Sequence, residues 1–191
     1  MACNMLNNVS IRLMSGGHAF SKNDIEAIKN AGPNAVVEFV THKTVLRPEA
    51  GFDVANAKDD LEATGYAVAE NEVVVSSAAV NGRVAVMAVS AVCVEAIKAL
   101  DSKVCYTSPL LYGDDILEGS QIALYNNVLY VSVFNNGLHF AEAIAVESDA
   151  DILYYLESVH RVYGIYNMYA RALGDVERLN RVCRRCFKMK L

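Results

Sequence analysis

Residues 121–146, QIALYNNVLYVSVFNNGLHFAEAIAV, decide how this chain is read. Three apolar runs, QIALY, VLYVSVF and LHFAEAIAV, are separated by Asn126-Asn127 and by Asn135-Asn136-Gly137. Runs rich in β-branched and aromatic residues, broken by Asn and Gly, predict strands joined by tight turns. Directly after them Ser148 stands three residues before Asp151, a pair that opens a helix by reciprocal capping. The stretch DADILYYLESVHRVYG then sets Ile152, Leu156, Val159 and Tyr163 on one helical face. A short strand-like piece, IYNMYA, precedes a last helix from about Asp175.

A similar order of elements precedes this one. In residues 9–21, VSIRLMSGGHAFS, Val9, Ile11 and Leu13 alternate with polar neighbours, and a short return strand at residues 18–20 follows two glycines. Ser21 and Asp24 form a capping pair for DIEAIKNAGP, which stops at Gly32-Pro33, and AVVEFVTH is a further strand. A helix follows over residues 53–65. NEVVVSS and GRVAVMAVS then predict a hairpin around Asn81-Gly82. Ser90 caps a helix with the stripe Cys93, Ala96, Ile97 and Leu100, and KVCYTS is a strand ending at Pro109. Residues 9–21 align with residues 129–141 in one register, matching Gly17 to Gly137, while a second register sets Gly16 on Asn127. The repeated order of elements is firmer than either register. It predicts an α/β chain of two similar halves joined near residues 110–118, with domains at 1–112 and 113–191.

The bulk composition is that of a folded protein: 53% apolar, 20% charged, three prolines among 191 residues. A net charge of −5 argues against a surface built for nucleic acid. The N-terminal MACNMLNNVS lacks the basic flank and apolar run of a secretory signal, and the 11-residue VAVMAVSAVCV is too short to span a membrane. A cytoplasmic location is expected. The five cysteines have no framework spacing, so no disulfide network is expected.

THKTVLRPEAGF, SAVCVEAIKAL, LYVSVFNNGLHFAEAI and SDADILYYLESVHRVYG resemble an uncharacterised bacterial family of the actin-like ATPase fold, the fold of actin, sugar kinases and heat-shock chaperone ATPases. The resemblance runs from about Val9 to the end. It implies two actin-like, ribonuclease-H-like halves, each opening with a three-stranded β-meander, with a cleft between them. In active members the β-turns of both halves face the nucleotide phosphates through Asp-x-Gly motifs. Backbone N–H groups hold phosphate there, and the aspartate holds Mg²⁺ or orients water. On this chain the matching turns are Ser15, Gly16 and Gly17, and Asn126 and Asn127, which are the candidate cofactor-binding residues. Neither turn carries a carboxylate; Arg12 is the charge nearest the first. Phosphoryl transfer rests on charge neutralisation and positioning, so this departure argues against a bound Mg-ATP cofactor. The glycine-rich adenosine loop is reduced to Gly174 in ARALGD. Glycines between alternating strands are also what a tight hairpin turn requires, and that reading is preferred.

Other constellations have plain explanations. Cys183 and Cys186 share a helix face with Val176, Leu179 and Phe187, which fits a core better than a zinc or redox site. Arg178, Arg181, Arg184, Arg185, Lys188 and Lys190 follow Asp175 and Glu177, the charge order that a helix dipole favours. Asp114, Asp115 and Glu118 could align on one helical turn as displaced metal ligands. Four dispersed histidines support no catalytic triad. Tyr154, Tyr155, Tyr163, Tyr166 and Tyr169 crowd one region and suit either a protein surface or internal packing. The expectation is a degenerate actin-like module that binds a protein partner or a second copy of itself, with no catalytic residue and no metal site. The rivals are an ATPase or phosphotransferase with displaced metal ligands, and a nucleic-acid-associated protein using the basic last helix.

Overall fold

The structure, a computed structural model, describes residues 10–14, 26, 28–30, 35–100 and 104–184. The chain is mixed α/β and divides into two compact units, Met1–Leu111 and Tyr112–Leu191.

The first unit contains β1 (Ser10–Met14), β2 (Val36–Val40), β3 (Thr44–Pro48), α1 (Ala57–Glu62), β4 (Glu72–Ser76), β5 (Arg83–Ser90), α2 (Ala91–Lys98) and β6 (Cys105–Thr107). Strands β1, β2 and β6 form a parallel sheet with β2 in the middle. All five residues of β2, VVEFV, are buried, as a strand covered on both faces requires. The return strand expected at residues 18–20 and the Ser21–Asp24 pair lie outside the described residues. Ile28 sits fully buried in the first core with Val37, Phe39, Met87 and Ile97.

The second sheet of this unit is antiparallel, in the order β3-β5-β4. Its hairpin closes through Asn81 and Gly82 with φ of 48° and 74°, the pair of positive angles of a primed two-residue turn. Val80 and Arg83 exchange backbone hydrogen bonds of 2.8 and 3.0 Å across it. Buried β5 residues serve both faces: Ala85, Met87 and Val89 join the first core, while Val86 and Ala88 meet Ala57 and Leu61 of α1. The helix expected over 53–65 begins as a 3-10 turn, Val54–Asn56, which the Asp53 carboxylate caps by accepting from the Ala55 N–H at 2.9 Å. One expected cap is absent: Ser90 precedes α2, but its side chain makes no capping bond. The buried positions of α2 are Val94 and Ile97, with Cys93 and Leu100 half-buried beside them.

The second unit contains β7 (Glu118–Tyr125), β8 (Val128–Asn135), β9 (Leu138–Ala145), α3 (Asp149–Tyr163), β10 (Ala170–Gly174) and α4 (Val176–Cys183). Its sheet runs β10-β7-β8-β9; β7, β8 and β9 are antiparallel in succession and β10 lies parallel to β7. Ile152, Leu156 and Val159 of α3 pack with Ile122, Leu124, Leu129, Val131 and Val133 of the sheet. Ser148 and Asp151 form the expected capping box, and Gly164 ends α3 in the left-handed conformation. The strand read into IYNMYA is not there. Residues Ile165–Asn167 make a 3-10 turn with Ile165 buried, and the strand starts at Ala170, opposite Ser120. A left-handed helix cap reverses the chain, and one tight turn is needed before it can extend along β7.

Candidate functional site

The second of the two expected cofactor turns joins β7 to β8. Tyr125 and Val128 are the last paired residues, and Asn126 takes a φ of 54°, which Asn tolerates better than other side chains. The Asn127 carbonyl accepts the Val146 N–H at 2.8 Å, so this turn is bound into the end of β9. Nearby, the Asp175 N–H donates to the Leu124 carbonyl at 2.7 Å. A β-carbon on Gly174 would stand 2.0 Å from the same oxygen. Gly174, the one glycine left where the adenosine loop would stand, thus lies against the chain's own backbone. Ser15, Gly16 and Gly17 lie outside the described residues.

In the first unit, Arg12, Glu38 and Thr107 are register partners straight across β1, β2 and β6. Aligned residues on neighbouring strands share a sheet face. Glu38 is 0% exposed, and the Arg12 side chain, 41% exposed, donates to its carboxylate through Nε. Sequence reasoning found Arg12 alone and missed its partner. The signal was a single acid inside a five-residue strand that is otherwise apolar, since a buried charge needs a counter-charge. Ligands of open parallel sheets bind beyond the carboxyl ends of the strands. Here the hydroxyls at those ends serve local turns: Thr41 Oγ1 accepts the Lys43 N–H at 3.2 Å, and Ser108 Oγ accepts the Leu110 N–H at 3.3 Å.

A further polar cluster joins β3 to β4. Lys43 Nζ donates to Glu72 Oε2 at 2.6 Å and to the Ala67 carbonyl at 2.8 Å, and Glu72 also accepts the Ala69 N–H at 2.9 Å. Burial pushes the Glu72 carboxyl up, but these hydrogen bonds and the Lys43 charge outweigh it and leave it below its ordinary value. Burial, reinforced by Lys43, lowers the pKa of His42, whose ring stands edge-on to Tyr66 with centroids 6.1 Å apart.

The displaced metal ligands do not assemble. Residues 114 and 115 lie in a turn and Glu118 opens β7, so no helical turn aligns them. Asp115 is gripped by both terminal nitrogens of Arg171, Nη1 reaching Oδ1 at 2.8 Å, which holds its carboxyl below the ordinary range. Among the described residues no three His, Cys, Asp or Glu side chains group as metal ligands. Cys183 is fully buried in the second core; Cys186, Arg185, Lys188 and Lys190 lie outside the described residues. Arg178 and Arg181 both reach Asp149, at 2.7 and 3.6 Å, so α4 uses part of its charge to hold α3.

The tyrosines turn mostly inward. Tyr155, Tyr163 and Tyr166 pack against the second core, Tyr163 on Phe140 at 5.0 Å and Tyr166 stacked on His160 at 4.1 Å between ring centres. Tyr155 donates to Glu142. Only Tyr154, 75% exposed, and Tyr169, 43% exposed, reach solvent strongly.

Among the described residues, the acid of the β1–β2 sheet is bonded to arginine, the strands β7 and β8 bring no acid to the turn between them, and Gly174 stands against the Leu124 carbonyl. No helix among the described residues is long and apolar enough to cross a membrane.

No family model matches the chain, and no curated protein does. Among solved structures it is similar to a Bacteroides thetaiotaomicron protein with an actin-like ATPase fold and unknown function. The TM-score is 0.68 at 13% identity, covering 84% of this chain and 69% of that one. This likeness shows the fold: the chain has the actin-like ATPase fold. A more distant likeness, with a TM-score of 0.45 and 14% identity, covers 86% of this chain and 81% of the cytoplasmic domain of EpsL, an inner membrane component of the type II secretion system of Vibrio cholerae.

Proposed function

We propose that the chain is a non-catalytic member of the actin-like fold that works by binding another protein, its residues 1–112 and 113–191 being the two halves of that fold. The observation that carries this reading is the Arg12–Glu38 pair. Glu38 is the acid that the parallel sheet of the first unit presents beside Arg12, and its Oε1 already accepts from the guanidinium, so a metal ion bound there would compete with that ion pair. The β7–β8 turn supports the reading from the second unit, because its Asn127 carbonyl is bound to Val146 and its strands bring no acid to the turn. The strand orders support the two-halves reading. In each unit the first described strand lies parallel to a later one, β1 beside β2 and β7 beside β10.

A thermal-shift titration with ATP, with and without Mg²⁺, tests it. A bound nucleotide at a hundredfold excess over its dissociation constant would add about 2.7 kcal/mol of stability and raise the melting point. No shift at millimolar nucleotide is expected. A Mg-dependent shift overturns the reading in favour of an ATPase or phosphotransferase whose metal ligands lie elsewhere.

A further inference from the structure

Helix α3 turns Ile152, Leu156 and Val159 into the second core, and the face it leaves to solvent carries a row at four-residue spacing, Tyr154, Ser158 and Val162. Tyr154 is 75% exposed and Val162 72%, so both ends of the row are large side chains left in solvent. Ser158 stands midway between them. Its hydroxyl is already used, donating to the Tyr154 carbonyl at 2.9 Å.

The charges of α3 divide into those already bonded and those left over. Asp149 takes Arg178 and Arg181 of α4, Asp151 closes the capping box, and His160 Nδ1 accepts the Tyr166 N–H at 3.2 Å. Glu157 and Arg161 remain. Both are exposed, and neither has an ion pair among the described residues. With the bonded groups counted, the outer face of α3 therefore holds one acid, one base and no net charge.

We propose that the outer face of α3 docks a second copy of this chain, α3 against α3 in antiparallel orientation about a two-fold axis at Ser158. The inference rests on the reading of the chain as a protein-binding module. A two-fold interface uses the same patch on both copies, so each feature must meet its complement on an identical surface. This face does so. An axis at Ser158 sets residue 154 of one copy level with residue 162 of the other, so Tyr154 packs beside the partner's Val162 twice, and the two small serines let the helices approach. Arg161 lies three residues past the axis and Glu157 one residue before it. The partner's Glu157 therefore stands about 3 Å from Arg161 along the helix, on the same flank, and two ion pairs join the copies. A parallel pair would instead set Glu157 beside Glu157 and Arg161 beside Arg161. A nucleic acid or an anionic membrane has no net positive charge to meet on this face.

Sedimentation velocity on the full chain, from about 10 µM to about 1 mM, tests the proposal. Contact along one helix face makes a weak dimer, with a dissociation constant expected on the order of 100 µM. Glu157→Arg and Arg161→Glu, each at an exposed site, bring like charges across the axis and should each weaken dimerisation about tenfold. Glu157→Arg combined with Arg161→Glu restores opposite charges and should return the wild-type constant, a rescue that requires residue 157 to face residue 161 of the other copy. Ser158→Cys, on the axis, should give a disulfide-linked dimer under mild oxidation that the native cysteines do not give. A monomer at every concentration overturns the proposal. So does a dimer that the single charge variants leave unchanged or the joint variant fails to restore, and so does a Ser158→Cys chain that crosslinks no better than wild type. A monomer leaves the protein-binding reading standing, whereas a Mg-dependent nucleotide shift sinks that reading whatever the sedimentation shows.

Discussion

Gly174 and Leu124 touch through their backbones: a β-carbon at Gly174 would stand 2.0 Å from the Leu124 carbonyl oxygen and 2.8 Å from its carbon. The two are register partners where β10 meets β7, and the next N–H, that of Asp175, donates to the same oxygen. Gly174→Ala therefore combines a positive φ of 76° with a backbone clash that no rotamer relieves. A cost of about 3 kcal/mol is expected in urea denaturation. Gly82→Ala shares the backbone angle, φ 74°, but meets nothing within 4 Å, and should cost about 1 kcal/mol. Equal costs would mean that the contact with Leu124 contributes nothing beyond backbone strain.

The Arg12–Glu38 pair yields a second expectation. Arg12→Ala leaves a fully buried carboxylate without the guanidinium that faces it. The cost should be about 2 kcal/mol, below the range for a fully buried pair because Arg12 reaches solvent. Adding Glu38→Gln to Arg12→Ala should restore part of that loss, since the remaining side chain is neutral. A double-mutant cycle by chemical denaturation measures the coupling. Strictly additive losses would show that the pair does not act as a unit, and would reopen Glu38 as an available ligand.

The cluster around Lys43 sets a pH dependence. His42 titrates below its ordinary value of 6.5 in the folded chain, through burial and the adjacent Lys43 charge, with Glu72 opposing. At pH values between the folded and unfolded pKa, the unfolded chain binds a proton that the folded chain does not. Stability is therefore complete above about pH 6.5 and falls as pH drops through that value. Glu72 adds a second loss below its ordinary value of 4.5, because its folded pKa is depressed. Urea midpoints measured from about pH 8 to pH 4 should show both declines. His42→Gln should flatten the upper one and leave the lower one. An unchanged profile in His42→Gln would assign the upper decline to another histidine.

The parts of this fold that sequence could state are those governed by neighbouring residues. Asn81-Gly82 and Asn126-Asn127 place their hairpins because positive φ is a property of the turn residues themselves. The box of Ser148 and Asp151 is likewise local. Pairings between distant residues were not legible. Glu38 meets Arg12 across 26 positions and Asp115 meets Arg171 across 56, and neither partner carries a mark of the other. The tyrosine crowding left surface and internal packing both open for the same reason. Spacing says that Tyr155, Tyr163 and Tyr166 are near one another, whereas their packing against the second core decides that they face inward.

The two serines that precede helices offer a matched comparison. Ser148 Oγ accepts the Asp151 N–H at 3.2 Å, while Asp151 accepts the Ser148 N–H at 2.8 Å, closing the cap at the start of α3. Ser90 occupies the equivalent position before α2, but its hydroxyl makes no capping bond. An N-cap substitution costs what the side chain supplies to the first turn's N–H groups, about 1 kcal/mol for a formed cap. Ser148→Ala should therefore lose about 1 kcal/mol, and Ser90→Ala less than about 0.5 kcal/mol, in parallel urea titrations. Hydrogen exchange should place the Ser148→Ala loss in the first turn of α3, at the Asp151 amide. A loss at Ser90 as large as at Ser148 would mean that the serine backbone conformation, not the hydroxyl bond, is what starts these helices.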